Sequence, residues 1–417
     1  MDDIHRSVET VFRRESGRII ASLIAVSGSF DMAEEAMQEA FASALASWPG
    51  KGIPDNPGAW ITTAAHRKLI DAARRDQTRR GRSDSLLYET VAAISPGETE
   101  GESSAMHFPD DRLRLIFTCC HPALNPEAQI ALTLRTLGGL STPEIAKAFL
   151  VPEPTIAQRL VRAKRKIQEA RIPYQEPSPA RLPERLATVQ AVIYLIFNAG
   201  YSAASGTSLV RGDLCAEAIR LGRLLFEMLP GEPENVGLLA LMLLQDSRRN
   251  ARVAGGELVT LEDQDRSVWD RAAICEGLLL VEQTLSLGRA GPYRIQAAIA
   301  ALHAQAKSAS ETDWPQIAAL YDALAQINPS PVILLNQAVA IAMSAKIEEG
   351  LERIDALCSG PLDRYYLSHA ARADLLRRLG RHSEAAAAYE QAAALATNQL
   401  EIDFLLRAAA RSTHTPR

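Results

Sequence analysis

An all-α fold is what this sequence predicts, and three observations predict it. Alanine and leucine abound, while Phe, Trp and Tyr together make up only 5% of 417 residues. No stretch alternates apolar and polar residues with a period of two, the mark of a half-buried strand. Residues 141–171, STPEIAKAFLVPEPTIAQRLVRAKRKIQEAR, read as two short helices joined by a tight turn. At 47% hydrophobic content the chain is too long for one core, which implies about two to four domains.

The helices follow in order. Residues 4–27 form the first, with Val8, Val11, Phe12, Ile19, Ile20, Leu23 and Ile24 apolar, and Gly28 ends it. Asp31 is placed to cap a second helix. Its apolar stripe is Ala33, Ala36, Met37, Ala40, Phe41, Ala44, Leu45 and Trp48, and its polar side is Glu34, Glu35, Gln38 and Glu39. After a proline-rich loop, Pro49 to Pro57, a third helix runs from about Gly58 into Arg74-Arg75 and Arg79-Arg80. Residues 81–109 are polar and turn-rich, the composition of a flexible linker with one short helical stretch. Helix resumes at Asp110, punctuated by Pro122, Asn125 and Pro126.

In the helix-turn-helix, Ser141, Thr142 and Pro143 open the first helix by capping chemistry. Val151-Pro152 breaks it and Pro154 starts the second. Ile156, Leu160, Ala163 and Ile167 recur on one face of that second helix, and Gln158, Arg159, Arg162, Lys164, Arg165 and Lys166 occupy the other. A cationic second helix can enter a DNA major groove; the bland alternative is a solvated basic helix in an ordinary bundle. The net charge is −5, so nucleic-acid contact has to come from local patches. A second break, IPYQEPSPARLPE, precedes a new helical body over 184–290.

Residues 291–417 carry a repeat. Positions 317/351/385, 321/355/389 and 324/358/392 are each 34 apart, the tetratricopeptide period. Gly380, Ala385, Tyr389 and Ala392 fit the pattern in the last unit, as do Ile317, Tyr321, Leu324 and Pro329 in the first. Asp355 and Cys358 fit the middle unit poorly, and unrelated helical hairpins at similar spacing remain the alternative.

Three segments in this order, DMAEEAMQEAFASALASW, PGAWITTAAHRKLIDAARR and LSTPEIAKAFLVPEPTIAQRLVRAKRKI, resemble regions 2 and 4 of the sigma-70 family, in particular the extracytoplasmic-function (ECF) sigma factors. The remainder looks like the subgroup with a large C-terminal helical extension carrying tetratricopeptide-like repeats. The resemblance implies region 2 at 1–80, a linker at 81–109 and region 4 at 110–172. It implies that Asp31, Glu34, Glu35, Gln38 and Glu39 dock on the clamp helices of core RNA polymerase, where held carboxylates steer an arginine-rich partner. It implies −10 binding, with a base flipped into a pocket of the loop GKGIPDNPG: Ile53, Asp55 and Asn56 are the candidates there. Arg67, Lys68, Arg74 and Arg75 would contact phosphates. Trp60 and His66 are the aromatic residues at hand for melted DNA, with Trp60 assigned to the core. For the −35 element the groove-facing start is Glu153, Thr155, Ala157 and Gln158, with Arg159 paired to guanine and Arg162, Arg165 and Lys166 on the backbone. Pro154 stands where ECF factors commonly have glycine, and Ala157 where they have lysine; the second departure removes a contact.

Other constellations point away from catalysis. Cys119-Cys120-His121 cannot all face one ion from one helix and lacks further ligands, so a packing role is expected and no metal. The polar breaks Asn198–Tyr201 and Leu261–Arg266 fit caps or buried hydrogen-bond networks better than a pocket lining. There is no phosphate-binding glycine loop and no nucleophile elbow, so no enzyme and no cofactor are expected. No apolar run of about 18 residues exists and MDDIHRSVET is polar, which predicts no signal peptide, no membrane span and a cytoplasmic location. Five scattered cysteines fit a reducing compartment. The function expected is promoter-specific initiation with core polymerase, the C-terminal extension acting on the sigma module or on a protein partner. The alternative is a helix-turn-helix regulator that needs no polymerase.

Overall fold

The computed structural model describes residues 2–80, 111–149, 151–201, 211–284, 287–288 and 290–413. The expected linker at 81–109 lies outside the described residues. The chain divides into two compact units, Met1–Val192 and Ile193–Arg417.

In the first unit, α1 (Asp2–Ser27), α2 (Phe30–Lys51) and α3 (Pro57–Arg80) pack on one another around Ile19, Ile20, Leu23, Ile24, Ala40, Ala44 and Ile61. Gly28 ends α1 at φ 64°, a left-handed conformation that glycine adopts without a Cβ penalty. Ser29 rather than Asp31 caps α2, its hydroxyl accepting from the Met32 N–H at 3.4 Å; Asp31 lies in the first turn, where a carboxylate suits the helix dipole. Leu45 falls off the buried stripe and is 38% exposed. The helix also continues through Pro49 to Lys51, one turn beyond the expected break.

Then α4 (Arg112–Cys119), α5 (Pro126–Thr136), α6 (Thr142–Phe149) and α7 (Glu153–Glu169) make a second helical cluster. It packs on α1 at close range. A Cβ on Gly17 would lie 3.1 Å from the Leu137 carbonyl oxygen, and one on Gly139, at φ 66°, would lie 2.9 Å from Ser16 Oγ. Tyr174, in the break after α7, donates to the Ala21 carbonyl of α1 at 2.9 Å. Arg185, in α8 (Leu182–Tyr201), donates to the Phe117 carbonyl and stacks over the Phe117 ring at 5.9 Å.

The second unit holds α9 (Gly212–Met228), α10 (Pro233–Asp246), α11 (Arg271–Thr284) and α12 (Pro292–Gln305). Residues Asn235 to Leu244 of α10 are all buried, which makes α10 the central helix here. A two-stranded hairpin, β1 (Val253–Ala254) and β2 (Glu257–Leu258), was not expected. It turns on Gly255 and Gly256 at φ 58° and 82°, the positive pair that a tight hairpin turn needs. Next come α13 (Trp314–Ile327), α14 (Pro331–Met343), α15 (Ile347–Cys358), α16 (Tyr366–Arg378), α17 (His382–Leu395) and α18 (Gln399–Thr413), each packed on the one before. Ile317, Leu351 and Ala385 are buried at equivalent places in α13, α15 and α17. Gly380 makes the turn before α17 at φ 73°. In the middle pair Asp355 points outward and pairs with Arg372 of α16 at 2.6 Å, an ion pair standing where the repeat has an apolar knob.

Candidate promoter-DNA and polymerase interface

The turn and cap of the helix-turn-helix form as the residues dictate. Ser141 Oγ accepts from the Glu144 N–H at 3.4 Å, and Glu144 Oε2 accepts from the Ser141 N–H at 2.7 Å, a reciprocal capping box. Pro154 sits in the first turn of α7, whose buried face is Ile156, Leu160, Ala163 and Ile167, as the spacing predicts. Burying those four against α5 and α6 leaves the basic side of α7 outward.

On that side Gln158, Arg162, Arg165 and Lys166 are exposed, with Thr155 and Arg159 half-buried. Arg165 pairs with Glu169 one turn on, Nε to Oε1 at 2.9 Å. Arg159 Nη2 lies 2.9 Å from Glu127 Oε2 in the first turn of α5. Such exposed pairs contribute about 0–1 kcal/mol, so a phosphate or guanine can displace either carboxylate. Arg162 and Lys166 make no ion pair among the described residues.

On α2, Asp31, Glu35 and Gln38 are exposed and Glu34 and Glu39 half-buried. Two of these are occupied. Lys164 Nζ of α7 lies 3.0 Å from Asp31 Oδ1 and 2.9 Å from Glu34 Oε2, with only 15% of its side chain exposed. Lys164 thus turns away from the exposed basic side of α7, and α7 grips one end of the acidic face through it. Sequence reasoning placed Lys164 among the basic residues of α7 and assigned it no contact. The signal was weak: a lysine flanking buried Ala163, with acceptors 130 and 133 residues away. Glu39 is 3.6 Å from Lys68 of α3.

In the loop before α3, Ile53 is 38% exposed and Asp55 is exposed. Asn56 caps α3, its Oδ1 accepting from the Ala59 N–H at 3.0 Å, so the carbonyl assigned to a base edge already has a partner. Arg67 and Arg74 are exposed on α3 and Lys68 half-buried; the Arg75 side chain, with those of Arg79 and Arg80, lies outside the described residues. Trp60 packs edge-to-face on buried Trp48 at 5.6 Å and is itself half-buried, at the edge of the core rather than in it. His66 is buried and shares a 3.1 Å hydrogen bond with Ser22 Oγ; burial pushes its pKa down to about 4, so it is neutral and out of reach of melted DNA.

Cys119 and Cys120 are packed core residues, hydrogen-bonded to the hydroxyls of Thr136 at 3.3 Å and Thr133 at 3.7 Å, and burial pushes both thiols up, Cys120 to about 12. They are inert thiols. The polar break at 261–266 does both of the things weighed for it. Arg266 donates to the His303 and Ala306 carbonyls that end α12, while Leu261 lines a cavity. Among the described residues no cluster of His, Cys, Asp and Glu could hold a metal ion, and no helix is long and apolar enough to cross a membrane.

An acidic helix, a basic helix and a cationic helix-turn-helix follow one another in that order along the first unit. Residues 11–80 match sigma-70 region 2 and residues 114–167 match sigma-70 region 4, while residues 185–285 match a family of unknown function, DUF6596. The chain belongs to the family of an uncharacterized Rhizobium meliloti (strain 1021) protein, R00370, with 45% identity over 381 residues that cover 90% of this chain and 89% of that one. A stretch of 184 residues is 27% identical to the probable ECF RNA polymerase sigma factor SigI of Mycobacterium tuberculosis (strain ATCC 25618 / H37Rv), covering 43% of this chain and 61% of that protein. The same figures hold for SigI of strain CDC 1551 / Oshkosh. No solved structure matches the chain.

Proposed function

We propose that this protein is an ECF sigma factor that binds core RNA polymerase, directs initiation at promoters with −35 and −10 elements, and works in the cytoplasm under the control of its C-terminal helical extension. The observation that carries the reading is the pairing of regions 2 and 4 in one chain with an exposed basic face on α7. Polymerisation chemistry belongs to the polymerase; this chain supplies positioning and base reading.

The region 4 residues Thr155, Gln158 and Arg159 would read base edges, with Arg162, Arg165 and Lys166 on phosphates. The region 2 residues Ile53, Asp55, Asn56, Arg67, Lys68, Arg74 and Arg75 would hold the −10 strand. Asp31, Glu34, Glu35, Gln38 and Glu39 would dock on polymerase, and the Lys164 contacts to Asp31 and Glu34 mean that docking displaces α7 from region 2. Free protein is therefore closed, and polymerase opens it by competing for the same carboxylates. The tetratricopeptide-like reading of α13–α18 rests on the 34-residue equivalence of Ile317, Leu351 and Ala385, and such stacks present surfaces for peptides or neighbouring domains.

The test is transcription in vitro with purified core polymerase on the promoter of its own operon. Promoter-dependent transcripts only in the presence of this protein support the reading. Tight, sequence-specific binding to duplex DNA by the isolated protein, with no effect on core polymerase, would replace it with a polymerase-independent regulator.

A further inference from the structure

The second unit contains a cavity of about 200 Å³ that promoter recognition does not use. Its wall is built from α8, α10, the segment between α10 and α11, α12, α13 and α14, and it contains Tyr194, Arg248, Trp269, Gln296, His303 and Tyr321 but no carboxylate. Four arginines cluster nearby, and three are anchored. Arg249 pairs with Asp246 at 3.0 Å, Arg252 donates to the Tyr201 carbonyl and stacks on that ring at 4.1 Å, and Arg266 caps α12. Arg248 is different. Arg248 lines the cavity, makes no ion pair among the described residues, and holds its guanidinium 5.8 Å from the Tyr201 ring.

Other polar atoms in the wall are unpaired as well. Trp269 is 96% buried, by its 4% exposure, and its Nε1 has no acceptor; the buried Nδ1 of His303 has no partner either. A buried polar group without a partner costs about 1–3 kcal/mol, and both nitrogens are closed off by the side chains packed around the cavity rather than open to it. Burial and the charges of Arg248 and Arg266 push His303 down to about 4, so its ring is neutral and offers a donor and an acceptor. The aromatic rings of Tyr194, Trp269 and Tyr321 complete a wall suited to a flat apolar body.

We propose that this cavity binds a small aromatic carboxylate, its carboxylate paired with Arg248 and its ring among Tyr194, Trp269 and Tyr321. A guanidinium fork matches a carboxylate bidentately, and no acidic side chain competes for it here. A cavity of about 150 Å³ takes benzene, so this one holds about eight to ten non-hydrogen atoms, the size of benzoate. The C-terminal extension is then a small-molecule receptor, an inference independent of promoter recognition.

Titration of the full-length protein with benzoate, benzamide and inorganic phosphate, followed by calorimetry and tryptophan fluorescence, tests it. Benzoate should bind saturably and raise the melting temperature, and benzamide, the same shape without charge, should bind about tenfold or more weakly. Arg248→Gln should lose about tenfold or more in benzoate affinity while melting near the parent protein, since Arg248 makes no ion pair. Should that variant fail to fold, Arg248→Lys keeps the charge without the planar fork and should weaken benzoate several-fold. Absence of saturable benzoate binding up to about 10 mM overturns the proposal. Equal binding of benzamide and benzoate, binding of phosphate alone, or benzoate affinity unchanged in either variant overturns it too.

Discussion

Arg159 and Arg165 carry the same charge on the same helix and should act differently. Arg159 lies at the start of α7, half-buried and held by Glu127 on α5, whereas Arg165 is exposed and held only by Glu169 of its own helix. Arg159→Ala is expected to reduce discrimination between matched and mismatched −35 sites by about 1–3 kcal/mol. Arg165→Ala should weaken binding evenly and reduce the salt slope by about 1. Binding isotherms of the polymerase complex at several salt concentrations separate the two, and equal effects on both site classes would end the assignment. Histidine titration offers a second residue-scale check. The buried, neutral His66 has a folded pKa of about 4 against an ordinary 6.5. Its contribution is therefore complete above pH 6.5 and is lost as pH falls from 6.5 toward 4, where the unfolded chain takes the proton first. His303 behaves in the same direction and window. Chemical denaturation across this range should show falling stability, with a shallower pH slope in His66→Gln; identical slopes would place the proton uptake elsewhere.

At the scale of elements, α7 grips α2 and the end of α5 packs on α1, and the proposed opening by polymerase would break these contacts. Lys164→Met leaves the largely buried Glu34 carboxylate without its cation and should destabilise the closed form by about 1–2 kcal/mol. Since Lys164 turns away from the exposed basic side of α7, core polymerase should bind this variant more tightly while −35 selectivity is kept. Unchanged affinity for core in a surface-capture assay would show that closure does not compete with docking. Gly17→Ala probes the same interface from the other side. The new Cβ would sit 3.1 Å from the Leu137 carbonyl oxygen, a backbone atom that cannot swing aside. The helix itself gains about 1 kcal/mol of propensity from the change, so α1 should survive while region 2 and region 4 part. Faster hydrogen exchange at residues 137–140 with α1 protection intact is the expected result.

For the whole molecule, the compact first unit reaches Val192, past the end of the helix-turn-helix. Tyr174 and Arg185 are the reason, one bonded to α1 and the other to α4. A 1–192 fragment should therefore melt cooperatively and above a 1–171 fragment, which loses both contacts. Equal melting temperatures by circular dichroism would mean that residues 172–192 add nothing. With residues 193–417 removed, promoter output is expected to fall strongly under the proposed control by the extension; output equal to the full chain in cells and with purified polymerase would make the extension an independent module.

Much of this was legible in the primary structure. The buried face of α7, the cap at Ser141, the turn glycines at 28 and 380 and the packing role of Cys119 and Cys120 all depend on residues close in sequence, where spacing and capping chemistry act locally. The cap of α2 was misread from Ser29 to Asp31 because both residues can cap and two positions separate them. What only the tertiary structure decided was the pairing of distant groups: Lys164 with Asp31 and Glu34, Tyr174 with Ala21, and Arg248 left unpaired among anchored neighbours. A lysine or arginine reads as the same exposed cation wherever it stands, and its partner is set by which helices pack together. Helix identity follows from local periodicity; the fate of each charge follows from burial across more than a hundred residues, which periodicity does not encode.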